Sequence, residues 1–335
     1  MKAMWLVVLV AGAGFAEEKK IKTGLWPEDW KYTLAAGVTT RDITYYSDGT
    51  ACFAKLFFPK SFSARGKTAG VVLGQGWAGT HFSIEKYGAR FAERGLVAMV
   101  IDYRSWGMSD GFVSVSGGNR TGGDYHRDET RFTRGKKDVA IKRTRLIPMK
   151  MVEDYRNAIS FLQGEAGVDA DRIGVWGSSF AGGHSLVVAA LDARVKAVSI
   201  QAPGIAGKGT QPGPAKLQGA LLEDAIKRAR TGQGGEYETG YSFRRMVDLE
   251  TQQAVAEYKP MHYVPQVGNR PVLIVVAEKD ELINNENVGR AAYNLLTGPK
   301  DYINLANVTH FEMYIGNPFE RSSNAAAEWF LKYLK

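Results

Sequence analysis

Asp171-Arg172-Ile173-Gly174-Val175-Trp176-Gly177-Ser178-Ser179-Phe180-Ala181-Gly182-Gly183 is the stretch that decides the fold. Ile173–Trp176 is a short apolar, strand-like run, and Phe180–Leu191 has the composition of a buried helix. Between them lies a turn of glycine, serine and small residues. A serine on so tight a strand-to-helix turn has its hydroxyl thrust out at the carboxyl end of a sheet. The positions two before and two after that serine must be small, because the turn crowds them. With Ser179 as the exposed residue, Gly177 and Ala181 fill those positions, giving a G-x-S-x-A pattern with Gly182 directly behind. With Ser178 instead, Trp176 and Phe180 would occupy the crowded sites. Ser179 is therefore the expected nucleophile and Ser178 its rival. A glycine- and serine-rich helix cap has the same local composition, so the assignment depends on what surrounds it.

Outward from this stretch, strands and helices alternate. Thr40–Tyr46 and Ala51–Phe58 flank Ser47-Asp48-Gly49, a hairpin signal. Then come strand Val71–Leu73, helix Phe82–Arg94, strand Leu96–Asp102 and helix Met149–Leu162. After the central turn follow strands Val195–Gln201 and Val272–Ala277, helix Glu286–Leu296, strand Tyr302–Leu305 and helix Glu320–Leu334. Short β-branched strands separated by amphipathic helices make a mostly parallel central sheet flanked by helices, here with an antiparallel N-terminal hairpin. Two long segments, about 107–148 and 204–265, interrupt the alternation and are expected to be lid-like insertions. The second contains helical stretches at Leu217–Arg230 and Ser242–Tyr258. The organisation expected is one α/β domain over residues 17–335.

A serine hydroxyl needs a base, and the base an orienting acid. Of the histidines after Ser179, His310 follows strand Tyr302–Leu305, at the carboxyl end of the sheet. His262 precedes Val272, at the other end. The acid is expected just after strand Val272–Ala277, where Glu278, Asp280 and Glu281 compete. Asp280, a short turn beyond the strand, is best placed to turn back toward His310, with Glu278 the alternative. The oxyanion donors expected are the backbone N–H groups of Phe180, directly after the nucleophile, and of Trp77. Trp77 belongs to the glycine-rich loop Gly74-Gln75-Gly76-Trp77-Ala78-Gly79-Thr80 after strand Val71–Leu73. His81 lies beside that loop without a metal-binding constellation, and the chemistry needs no metal or organic cofactor.

The chain has 335 residues, 44% of them hydrophobic and 23% charged, as in ordinary globular proteins. Lys2, the apolar run Met4–Phe15, the small residues before Ala16 and the polar Glu17-Glu18-Lys19-Lys20 read as a cleavable secretory signal over residues 1–16. The expected location is secreted or periplasmic, without stable membrane insertion after cleavage. Cys52 is the single cysteine, so no intramolecular disulfide forms. The net charge of +8 is concentrated: Arg120–Arg145 holds nine basic and four acidic residues. Such a segment attracts anionic groups or is simply a solvated insertion. No motif accompanies it that would make it a nucleic-acid site.

Taken together, these residues resemble α/β-hydrolases, in particular the dienelactone-hydrolase-like and X-Pro dipeptidyl-peptidase-like branches. The resemblance rests on Gly74-Gln75-Gly76-Trp77, on Asp102-Tyr103-Arg104-Ser105-Trp106-Gly107-Met108-Ser109-Asp110-Gly111, on Val168–Ser179, and on Thr309-His310-Phe311-Glu312-Met313-Tyr314. True dienelactone hydrolases use a cysteine nucleophile, whereas Ser179 stands at that position here. The resemblance implies a serine hydrolase acting on a small-molecule carboxylic ester through Ser179, His310 and Asp280. An acyltransferase, a thioesterase or a small-peptide hydrolase would use the same residues, and a non-catalytic binding protein would use the same scaffold. Trp106, just before the first insertion, and Tyr125 and Phe132 within it are aromatic residues that either line the site or pack the lid.

Overall fold

A computed structural model describes residues 24–116, 138–142, 145–205, 219–232 and 248–335. The expected signal at 1–16, Tyr125, Phe132 and most of the basic segment lie outside the described residues. Strands β1 (Thr39–Ser47) and β2 (Thr50–Phe58) form the expected hairpin. Asp48 and Gly49 both take positive φ, 51° and 75°. A two-residue turn of this kind matches the twist of the strands it joins.

β3 (Thr68–Gly74), β4 (Val97–Ile101), β7 (Val168–Ser178), β8 (Val195–Gln201), β9 (Val272–Ala277) and β10 (Lys300–Leu305) complete an eight-stranded sheet. Its order is β1-β2-β4-β3-β7-β8-β9-β10. Pairing is antiparallel from β1 through β2 to β4 and parallel from there to β10. The parallel strands are apolar throughout where both faces are covered: every residue of β4 and β9 is buried. One face carries α1 (Glu85–Glu93) and α7 (Gly316–Tyr333), whose Tyr87, Phe91, Trp329 and Phe330 pack with Trp176. The other carries α2 (Pro148–Gln163), α3 (Phe180–Leu191) and α6 (Ala291–Leu295), through residues such as Tyr155, Leu186 and Ala292.

Several local expectations change: β7 starts upstream at Val168 and α7 at Gly316, earlier than their apolar patterns indicate. Residues 81–83 form a 3₁₀ turn ahead of α1 rather than its first turn. The stretch expected as one helix from Glu286 divides into a π-helical turn, Glu286–Arg290, and the short α6. Within the first insertion, β5 (Phe112–Ser116) and β6 (Asp138–Lys142) form a separate antiparallel pair. The second insertion contributes α4 (Ala220–Thr231), α5 (Leu249–Glu257) and a 3₁₀ segment over Pro260–Val267. No helix among the described residues is long and apolar enough to cross a membrane.

Candidate active site

Ser179 sits between β7 and α3 with φ 53° and ψ −120°. A serine held in that region is strained, and the surrounding bonds keep it there. Its N–H donates to Gln201 O at 2.9 Å, extending the β7–β8 ladder, while its carbonyl accepts from Gly182 and Gly204 N–H. A Cβ on Gly177 would lie 2.2 Å from the carbonyl oxygen of Ala181 and 2.4 Å from Ser185 Oγ. That crowding explains the glycine two residues before the serine. Ser178, the rival, is fully buried with its Oγ 2.5 Å from the hydroxyl of Tyr314.

Asp280 and His310 leave the neighbouring strands β9 and β10, and meet. The Nδ1 of His310 lies 2.8 Å from Oδ2 of Asp280, with both side chains almost wholly shielded from solvent. The other carboxylate oxygen of Asp280 accepts the N–H groups of Leu282 and Ile283, each at 2.9 Å. Held from both sides, the carboxylate fixes the imidazole ring and makes Nδ1 the protonated nitrogen, leaving Nε2 free to act as a base. The other two carboxylates of this loop have different work. Glu278 accepts the N–H of Asn307, and Glu281 accepts the N–H of His310 itself. Glu281 thus fixes the backbone of the histidine, a function hidden in the sequence. His262 is exposed on the 3₁₀ segment that precedes β9.

The glycine-rich loop after β3 comes up against Ser179 from the other side. A Cβ on Gly76 would be 2.8 Å from Ser179 Cβ and 3.3 Å from its Oγ. The indole of Trp77 packs edge-on against Phe180, with centroids 5.2 Å apart, and against Trp106 at 6.2 Å. Phe180 opens α3, so its N–H is among the first-turn amides that have no acceptor within the helix. The helix dipole adds partial positive charge at the same point.

One pair escaped the sequence reading. His81 Nδ1 lies 2.6 Å from Oδ2 of Asp102, and the His81 N–H donates to Oδ1 at 2.7 Å. The same carboxylate accepts the N–H of Met108, and His81 Nε2 is 3.6 Å from Glu85. This buried second His–Asp pair ties the end of the glycine-rich loop to the loop after β4. Arg104 extends the framework by bonding Asp154 through Nε at 2.8 Å and Ser47 through Nη2, also at 2.8 Å. Cys52 is buried in β2, and burial pushes its thiol up to about 12, so it is held as an unreactive neutral group.

Residues 54–214 match the model of the dienelactone hydrolase family. The solved structure of DcsB with a substrate analogue superposes with a TM-score of 0.68 over 88% of this chain and 99% of that one, at 19% identity. The chain has the α/β-hydrolase fold, and its residues 54–214 are similar to the dienelactone hydrolase family. An acetyl xylan esterase from Paenibacillus sp. R4 has the same fold, with a TM-score of 0.57 over 89% of this chain and 85% of that one, at 19% identity. By sequence the chain is similar to a 31.7 kDa protein of the traX–finO intergenic region of Escherichia coli, 28% identical over 73% of this chain and 83% of that one. It is also similar to the quorum-quenching protein AidA of Acinetobacter baumannii, 24% identical over 84% and 90% of the two chains. The thiohydrolase apmlB of Arthrinium phaeospermum is 27% identical over 72% of this chain and 80% of its own.

Proposed function

We propose that this α/β-hydrolase cleaves carboxylic esters through a Ser179–His310–Asp280 triad and an acyl-enzyme intermediate. The observation that carries the proposal is the 2.8 Å pairing of His310 Nδ1 with Asp280, on loops at the same sheet end as the strained Ser179. His310 Nε2 takes the proton of Ser179 Oγ as that oxygen attacks the acyl carbonyl. The N–H groups of Phe180 and Trp77 hold the oxyanion. The imidazolium, steadied by Asp280, then protonates the departing alcohol, and water repeats the sequence to release the acid. Ser179→Ala is expected to abolish turnover of short p-nitrophenyl esters while the far-ultraviolet circular dichroism stays unchanged. Wild-type rates in that folded variant would overturn the assignment.

A second reading keeps the residues and changes the bond. Relatives include thiohydrolases and an acyltransferase, so a thioester substrate or an alcohol acceptor in place of water is also supported. Rates on matched oxygen and thiol esters, with and without added alcohol, separate these readings. For location, the proposal is export with cleavage after Ala16, supported by Lys2, the apolar run and the small residues before the cut. A mature N-terminus at Glu17 in the exported protein would bear this out; an intact Met1 in the cytoplasmic fraction would overturn it.

A further inference from the structure

Beside Ser179, on the β8–β9 side, lies a recess of about 320 Å³. Its walls are bonded to the proposed triad. Phe180 lines it and directly follows Ser179. Gly204 lines it and donates its N–H to the Ser179 carbonyl at 2.6 Å. Ile283 lines it and donates its N–H to Asp280. Tyr258 and Val288 close it from the second insertion and from the π-helical turn. Tyr258 presents its ring, because its hydroxyl is 2.7 Å from His184 Nδ1, buried beneath Phe180. Among the described lining residues no side chain carries a charge at neutral pH, and Asn284 at the exposed rim is the one amide.

We infer that this recess receives the acyl half of the substrate, and that this half is an uncharged aliphatic chain. The inference rests on the serine-hydrolase reading of Ser179 and deepens it. The alcohol half must depart and be replaced by water within reach of His310. The acyl half stays bonded to Ser179 until deacylation, so a recess built from the nucleophile's own helix start suits the half that stays. A carboxylate or ammonium on that chain would lose its hydration without meeting a counter-charge. The basic segment Arg120–Arg145 argues for the opposite class, anionic esters, and the two are decided by experiment.

The test is a p-nitrophenyl series of acetate, butyrate, hexanoate and the mono-ester of succinate, run on the whole protein and on Ile283→Trp and Ile283→Ala. Each added methylene is expected to raise kcat/KM about threefold until the recess is full. Hexanoate then exceeds acetate by at least about tenfold, and the succinate mono-ester falls about tenfold below butyrate. In Ile283→Trp the hexanoate-to-acetate ratio should collapse toward one, and in Ile283→Ala the optimum should move to longer chains. Ratios within one preparation cancel any difference in folded fraction. A flat profile, a preference for the succinate mono-ester, or Ile283 variants that instead change the dependence on alcohol length in an acetate series would each overturn the acyl assignment. These outcomes leave the serine-hydrolase reading standing as long as acetate is turned over by a Ser179-dependent reaction. Absence of turnover of every ester overturns both.

Discussion

His310 Nδ1 and Asp280 Oδ2 meet at 2.8 Å although the residues leave separate strands, and the second oxygen of Asp280 is held by two backbone amides. Replacing that carboxylate by an amide keeps the shape and removes the acceptor that selects the tautomer. Asp280→Asn is expected to lower kcat by about three to four orders of magnitude with little change in KM. Glu278→Gln, which disturbs only the bond to the Asn307 N–H, should stay within about tenfold of wild type. Steady-state kinetics on p-nitrophenyl acetate check both, and a larger loss at Glu278 would transfer the acid's role.

Among the described residues, two buried His–Asp pairs lie on this end of the sheet, and they should respond differently. His310→Ala removes the proposed base and should abolish turnover. His81→Gln loosens the anchor at the end of the glycine-rich loop. It should lower Tm and cut kcat by about tenfold without abolishing turnover. Complete loss of activity in a folded His81→Gln, with activity retained in His310→Ala, would make His81 the base.

The elbow itself depends on the space at Gly177, where an added Cβ would come within 2.2 Å of a backbone oxygen. Gly177→Ala should cost about 3 kcal/mol or more, because the nearest clash is with the Ala181 backbone, which cannot turn aside as the Ser185 hydroxyl can. Urea denaturation measures it; a loss under about 0.5 kcal/mol would show that the turn relaxes freely.

His184 is wholly buried beside Phe180, and burial lowers its pKa from 6.5 to about 3. The unfolded chain takes up a proton near pH 6.5 and the folded chain resists it until about pH 3. The native state therefore loses stability as the pH falls through that window and keeps it above. The full loss is on the order of 5 kcal/mol. Thermal melts between pH 7.5 and 4.5 should show a steeper decline for the wild-type protein than for His184→Phe. Parallel slopes would contradict this account.

Much of this was legible in the residues. α3 begins and ends as the composition of Phe180–Leu191 indicates, and β8 and β9 match their apolar runs end to end, because local pattern and tertiary burial agree there. That Asp280 and His310 come together was legible because each follows a strand whose direction fixes which end of the sheet it reaches. The His81–Asp102 pair was not, since it requires knowing that β3 and β4 lie side by side in parallel. The β5–β6 pair joins segments more than twenty residues apart across a glycine-rich, basic stretch that carries little periodicity. The recess beside Ser179 is assembled from four separate segments, none of which signals a pocket by itself.

The central claim is that Ser179 is the nucleophile. The most direct measurement is reaction of the whole protein with a fluorophosphonate, followed by intact mass and peptide mapping. One adduct per chain is predicted, on Ser179, absent from Ser179→Ala and retained in Ser178→Ala. An unlabelled wild-type protein, or an adduct on Ser178 or any other residue, would contradict it.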